Sequence, residues 1–119
     1  MKSEKSKNIL RDKSYAFAIK IVRLSQSLVS ENKEFVLSRQ VLRSGTAIGA
    51  LVRESEFAAS KADFINKLTV SLKEANETEY WLMLLHDTDY LPTTEFETLQ
   101  FECKVLIAIL VSSIKTLKK

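Results

Sequence analysis

The sequence predicts an all-α protein, a single antiparallel, up-down-up-down four-helix bundle, and three observations carry that prediction. The 119 residues include only two Gly and one Pro, too few turn formers for a sheet or a loop-rich fold. Apolar residues recur at threes and fours through long stretches, which is the helical period. Short polar segments rich in cap-forming residues separate those stretches, so consecutive helices must double back on one another. The length suits one domain over residues 1–119. A composition of 45% hydrophobic and 28% charged residues suits a folded chain and not a disordered one.

Residues 1–13 are expected to form a mobile basic tail ahead of the bundle. The first helix is expected over about Ser14 to Glu31, where Tyr15, Phe17, Ile19, Ile21, Val22, Leu24, Leu28 and Val29 leave only a narrow polar strip of Lys20, Arg23 and Ser27. The second begins at Ser38, a good N-cap flanked by Leu37 and Leu42 at staple positions, and ends near Phe57. Its core line is Val41, Ile48, Leu51 and Val52, with Ser44 and Gly45 beside it. Ser60 and Asp63 form a capping box for the third, whose stripe is Phe64, Leu68, Leu72, Ala75, Leu82 and Leu85, with Pro92 as the breaker beyond it. Thr94 and Glu97 open the fourth, and Leu99, Cys103, Leu106, Leu110, Ile114 and Leu117 carry its stripe to the end.

The stretch LRSGTAIGALVRES, Leu42 to Ser55, holds a G-x-x-x-G spacing at Gly45 and Gly49 between arginines. No run of about 18 uncharged apolar residues exists for a membrane contact. No Lys-Ser/Thr pair follows the glycines, as a phosphate-binding loop requires. The stretch therefore reads as a close-packing surface inside a helix, where each glycine costs about 1 kcal/mol relative to alanine and a packing gain must offset that cost.

Catalytic chemistry is not expected, and no catalytic residue is assigned. His86 is the only histidine and has no carboxylate three or four positions before it, so the Glu-x-x-His pairs of di-iron bundles are missing. Cys103, the single cysteine, excludes an intrachain disulfide and a CxxC zinc site, and falls on a core stripe where cysteine acts as a small hydrophobe. No metal, cofactor or small-molecule substrate is expected, no membrane association either, and a cytoplasmic setting fits the charged, interrupted N-terminus. Glu79 falls between Ala75 and Leu82 and has two readings, a buried carboxylate bonded to Ser44 and Ser55 or a bundle-end group that reaches water.

Charge is unevenly distributed. Residues 1–23 carry a net +5, residues 24–62 +1, residues 63–102 −7 and residues 103–119 +4. Arg39, Arg43 and Arg53 project to one outer side of the second helix and are the candidate nucleic-acid contacts, with Lys2, Lys5, Lys7, Lys118 and Lys119 as flexible helpers. Val70, Trp81, Leu84, Phe101 and Val105 lie away from the core stripes of the third and fourth helices. They are the candidate interface of a homo-oligomer, since large apolar patches usually mark contacts.

The stretches LRSGTAIGALVRESEFAASKADFINKL and SLKEANETEYWLMLL resemble the four-helix-bundle proteins encoded by intervening sequences in bacterial 23S rRNA genes, also labelled S-type ribosomal proteins. The specific positions are Ser44, Thr46, Ile48, Gly49 and Ala50, then Lys73-Glu74-Ala75 and Glu77-Thr78-Glu79-Tyr80-Trp81-Leu82. After the Gly-Ala, Val52 and Glu54 keep the family pattern, while Leu51 and Arg53 depart from it. The chain is also similar to the accessory variability proteins of diversity-generating retroelements, pentameric barrels of such bundles that bind nucleic acid. The resemblance implies an up-down bundle, no enzymatic activity, a homo-pentamer, and RNA or another nucleic acid as partner. The competing expectation is a protein–protein scaffold that binds no nucleic acid.

Overall fold

The computed structural model describes residues 2–119, with side chains from Ile9 onward. Four helices make up the fold: α1 (Lys2–Asn32), α2 (Leu37–Ser55), α3 (Lys61–Asp87) and α4 (Thr93–Lys118). The 19-residue α2 is about 28 Å long. The four residues before it, 33–36, span about 14 Å at most, so neighbouring helices must run antiparallel. Cross-helix contacts fix the same direction. Going up α1, Ser14 faces Gly49 and Ile21 faces Gly45. Going up α3, Ser71 meets Ile48 and Thr78 meets Ser44. Ala75 then meets Cys103, and Lys20 pairs with Glu102 to close the ring between α4 and α1. The bundle measures 45 × 23 × 19 Å.

Helix α1 begins at Lys2, not at Ser14. Leu10 is buried, as are Ser14, Phe17, Ile21, Leu24 and Leu28, so the apolar stripe reaches back to Leu10, inside the segment expected as a tail. The side chains of residues 1–8, those of Lys2, Lys5 and Lys7 among them, lie outside the described residues. At the start of α2 the cap differs from expectation. Ser38 is already inside the helix and buried, and the residue before Leu37, Val36, has helical angles and makes no side-chain cap. Glu34 supplies the missing acceptor, its Oε1 taking the Ser38 N–H at 2.9 Å. The α3 cap is as expected: Ser60 Oγ accepts the Asp63 N–H at 3.1 Å, and Asp63 accepts the Ala59 N–H at 3.1 Å.

Neither glycine sits in a turn. Helix α1 ends with Lys33 at φ 56° and α3 with Asp89 at φ 69°. After Asp89, the Tyr90 N–H returns to the Leu85 carbonyl at 2.9 Å and the Asp89 N–H to that of His86 at 3.1 Å, a Schellman closure. Both glycines are spent on helix packing. An added Cβ at Gly45 would lie 2.7 Å from Ile21 Cγ2 and 2.9 Å from its Cγ1. At Gly49 the α1 backbone itself is the neighbour, with Ser14 C and O at 3.4 Å and its Oγ at 3.3 Å.

A line of hydroxyls accompanies the glycines. Ser71 Oγ donates to the Ile48 carbonyl at 2.9 Å, and Ser25 Oγ to that of Ser38 at 3.2 Å. The Thr78 and Ser44 hydroxyls are 2.9 Å apart, with Thr78 also 2.7 Å from the Glu74 carbonyl. A hydroxyl has one proton, so Thr78 donates to that carbonyl and accepts from Ser44. Thr78, not Glu79, therefore fills the core position between Ala75 and Leu82. Glu79 is turned toward α4, with Lys104 Nζ at 3.7 Å and Gln100 Nε2 at 3.5 Å. Ser44 is taken by Thr78, and Ser55 bonds its own helix at Val52, so neither serves Glu79.

Gly45→Ala should destabilise the protein by about 1–2 kcal/mol in urea unfolding, because β-branched Ile21 cannot swing away and overpacking outweighs the helix-propensity gain. Gly49→Ala should stay within about 1 kcal/mol of the parent, whereas Gly49→Leu should cost about 1–3 kcal/mol. A second expectation concerns Cys103. Burial first, and the nearby Glu79 charge second, push its thiol from 9.0 up to about 12. The folded state thus holds a proton that the unfolded state releases, so this stabilisation is complete below about pH 9 and fades as pH rises toward about 12. Alkaline unfolding of Cys103→Ala should lack that part of the pH dependence, and the native thiol should resist alkylation at pH 8 until the protein is unfolded.

Candidate nucleic-acid interface

Arg39, Arg43 and Arg53 share the exposed side of α2, as the helical spacing predicts, but their charges are not equally available. Arg43 reaches across to α3, with Nη1 at 3.3 Å from Glu74 and Nη2 hydrogen-bonded to Glu77. That hydrogen bond raises its pKa. Glu77 is held below its ordinary value chiefly by the Trp81 indole N–H, which donates to it at 2.9 Å, and then by Arg43. The acidic stretch of α3 thus lies directly beside this arginine. Arg39 and Arg53 make no ion pair among the described residues, and 14 positions along the helix place them about 21 Å apart. The three arginines are one face but not one unpaired cluster.

The antiparallel fold builds a second basic region. It brings the start of α1, the end of α2, the start of α3 and the end of α4 to the same half of the bundle, so the two basic chain segments meet. Four carboxylates among the described residues share this half; three lie near Arg11 or Lys67, and the buried Oε2 of Glu56 accepts no hydrogen bond. Asp12 lies 3.6 Å from Arg11, Glu56 4.0 Å from Arg11, and Glu54 3.8 Å from Lys67. Asp63 caps α3 through the Ala59 N–H. Lys13, Arg53, Lys61, Lys115, Lys118 and Lys119 are exposed and have no carboxylate within ion-pair reach among the described residues. Of these, Arg53, Lys118 and Lys119 were legible as candidates. Lys13, Lys61 and Lys115 were visible only as part of the net +5, +1 and +4 segments.

The five residues expected at one oligomer interface fall on two sides of the bundle. Phe101 is 69% exposed and, with half-buried Val105, lines a groove beside Lys13 and Ala16 of α1. Val70, Trp81 and Leu84 are half-buried. Trp81 packs on the core and bonds Glu77, on the flank that faces α2. An apolar stripe on α1 is more exposed than any of these except Phe101: Tyr15, Ile19, Val22 and Val29 all stand out to solvent.

The opposite half has acidic character. A cleft of about 400 Å3 opens there between the end of α1 and the α3–α4 turn, bordered by Glu31, His86, Asp89 and Glu95. His86 is occupied in closing that turn. Its ring stacks on Phe96 with centroids 4.3 Å apart, Nε2 is 3.1 Å from Thr93 Oγ1, and Nδ1 is 3.2 Å from Asp87. Among the described residues, no three His, Cys, Asp or Glu side chains are grouped to hold a metal. No helix among them is long and apolar enough to cross a membrane.

Comparison with curated proteins finds no match. Among solved structures, the chain is similar to a protein of unknown function from the S23 ribosomal protein family of Bacteroides thetaiotaomicron VPI-5482. The two are 53% identical, the match covers 92% of this chain and 98% of that one, and the TM-score is 0.91. Neither this relative nor the family carries an enzymatic designation. The model of the 23S rRNA-intervening sequence proteins matches residues 6–112, nearly the whole bundle with its glycine-serine packing surface. With the four-helix architecture and the close solved relative, that match shows that the chain belongs to the 23S rRNA-intervening sequence protein family.

Proposed function

We propose that this protein is a non-enzymatic, cytoplasmic, homo-oligomeric bundle that binds RNA through the basic half built by its two chain ends. The carrying observation is the charge balance there: Lys13, Arg53, Lys61, Lys115, Lys118 and Lys119 have no ion-pair partner among the described residues, and the four described carboxylates, two of them sharing Arg11, are too few to offset them. A phosphate backbone is the polyanion that such unpaired cations attract, through release of its counterions. One protomer offers few contacts. A closed ring, a pentamer by analogy with similar proteins, would repeat the basic half and raise avidity without any new contact. A ring needs two different faces on each protomer, and the α4 face at Phe101 and Val105 and the α3 flank at Val70 and Trp81 supply such a pair.

The exposed α1 stripe of Ile19, Val22 and Val29 favours a second reading, a protein–protein scaffold that binds no nucleic acid.

Salt dependence separates the two. Affinity for a generic single-stranded RNA should fall steeply with salt, with a log–log slope of about −4 for six phosphate contacts. Changing Arg53, Lys61 and Lys118 to Gln should halve that slope, and Arg43→Gln should leave it unaltered because Glu74 and Glu77 already neutralise Arg43. Absence of binding at low salt would leave the scaffold reading. For assembly, light scattering should give about 67 kDa, five times the 13.5 kDa chain. Phe101→Glu should reduce the mass toward that of the monomer without loss of helicity, because the ring is exposed within the protomer.

A further inference from the structure

The geometry points to single-stranded RNA, with its bases stacked on Phe57 and Tyr15 on either side of Arg53, as the ligand of the basic half. This rests on the reading of that half as the phosphate contact and adds what form of nucleic acid it takes. Phe57 is 83% exposed, the most exposed large apolar side chain among the described residues, and Tyr15 is 66% exposed. Neither ring contributes to the core, and both stand among cations.

Their spacing follows from the packing of α1 on α2. Ser14 lies against Gly49, so Tyr15 is level with Gly49 on the neighbouring helix. Arg53 is one turn further along α2, about 6 Å, and Phe57 one turn beyond that, about 12 Å from the level of Tyr15. Beyond Ser55 the chain tightens into i→i−3 turns, with the Phe57 N–H on the Glu54 carbonyl at 3.0 Å, so Phe57 stays at the end of α2 within a turn of Arg53. Lys61 opens α3 four residues later. Exposed aromatic rings interleaved with unpaired cations are what a single strand requires, since unstacked bases offer a π-face to the rings while their phosphates meet the cations. A duplex keeps its bases stacked internally and could use only the cations. The strand is taken as RNA in keeping with the proposed function, and the deoxy strand in the test below is the arm that checks that choice.

The test is a fluorescence-anisotropy titration with a labelled oligo-uridylate, an RNA duplex of equal length and an oligo-deoxythymidylate, at low and moderate salt. The full-length parent should bind oligo-uridylate at least tenfold tighter than the duplex and no more weakly than the deoxy strand. Phe57→Ala and Tyr15→Ala should each lose about five- to a hundredfold on oligo-uridylate and leave duplex binding unchanged. Phe57→Trp should retain affinity, and its added fluorescence should be quenched on binding. Equal affinity for strand and duplex, untouched by either alanine, would overturn the stacking inference while leaving the phosphate contact standing. A marked preference for the deoxy strand would overturn the assignment to RNA. No binding to any probe at low salt would overturn the basic half as a nucleic-acid contact altogether.

Discussion

The rest of the structure depends on how closely α1 and α3 can approach α2. Helices normally pack 8–10 Å apart, with the distance set by the side chains between them. Here α2 presents Gly45 and Gly49 to α1 and Ser44 to α3, so the neighbours settle into space that larger side chains would fill. Ile21 occupies the hollow at Gly45, and the Ser14 backbone occupies the one at Gly49. The propensity lost by two mid-helix glycines is offset by dispersion contacts and by burial of Ile21. Hydroxyls at Ser44 and Ser71 occupy little volume, and each donates across the contact, to Thr78 Oγ1 and to the Ile48 carbonyl. A slide of one helix past another would break these bonds and leave buried polar groups unpaired, so the same small residues that permit close approach also hold the register.

That register decides the electrostatics. Arg43 comes level with Glu74 and Glu77, and the result is a neutralised cross-helix cluster with the Trp81 indole at its edge. Lys67 comes level with Glu54, and Arg11 with Glu56. Each of these exposed pairs contributes little to stability, but each consumes a carboxylate. Among the described residues of the half that holds both chain ends, four acids meet only two cations, Arg11 and Lys67, and six further cations leave that half with a net positive charge. The local excess therefore results from the basic segments that the antiparallel fold gathers there and not from an extreme composition, since the net charge is only +3.

Chemistry is quiet in the places where a single sequence draws the eye. The lone histidine braces a turn, and the lone cysteine is a capped core residue whose thiol donates to the Ala75 carbonyl at 3.2 Å. The glycine spacing packs helices. The surfaces that remain for a partner are the basic half with its exposed rings and the apolar stripes on α1 and α4.

The sequence by itself determined the helix count, most of the core and the family, because a 3.6-residue period and cap residues such as Ser60 and Asp63 are local properties that the chain carries wherever it folds. It determined the close-packing role of Gly45 and Gly49 for the same reason: no loop or phosphate chemistry suits them. Only the tertiary structure decided the rest. Glu34, four residues before Ser38, caps α2 because the turn folds back over the helix end. Leu10 extends α1 because α1 meets a neighbour there. Thr78 displaces Glu79 from the core because Ser44 lies opposite it, one helix away. Which arginine is free and which is paired could not be read along α2, since the deciding carboxylates are 31 and 34 residues distant in the chain. Charge pairing acts over a few ångströms of space, and only the antiparallel return of the helices converts separation in sequence into that proximity.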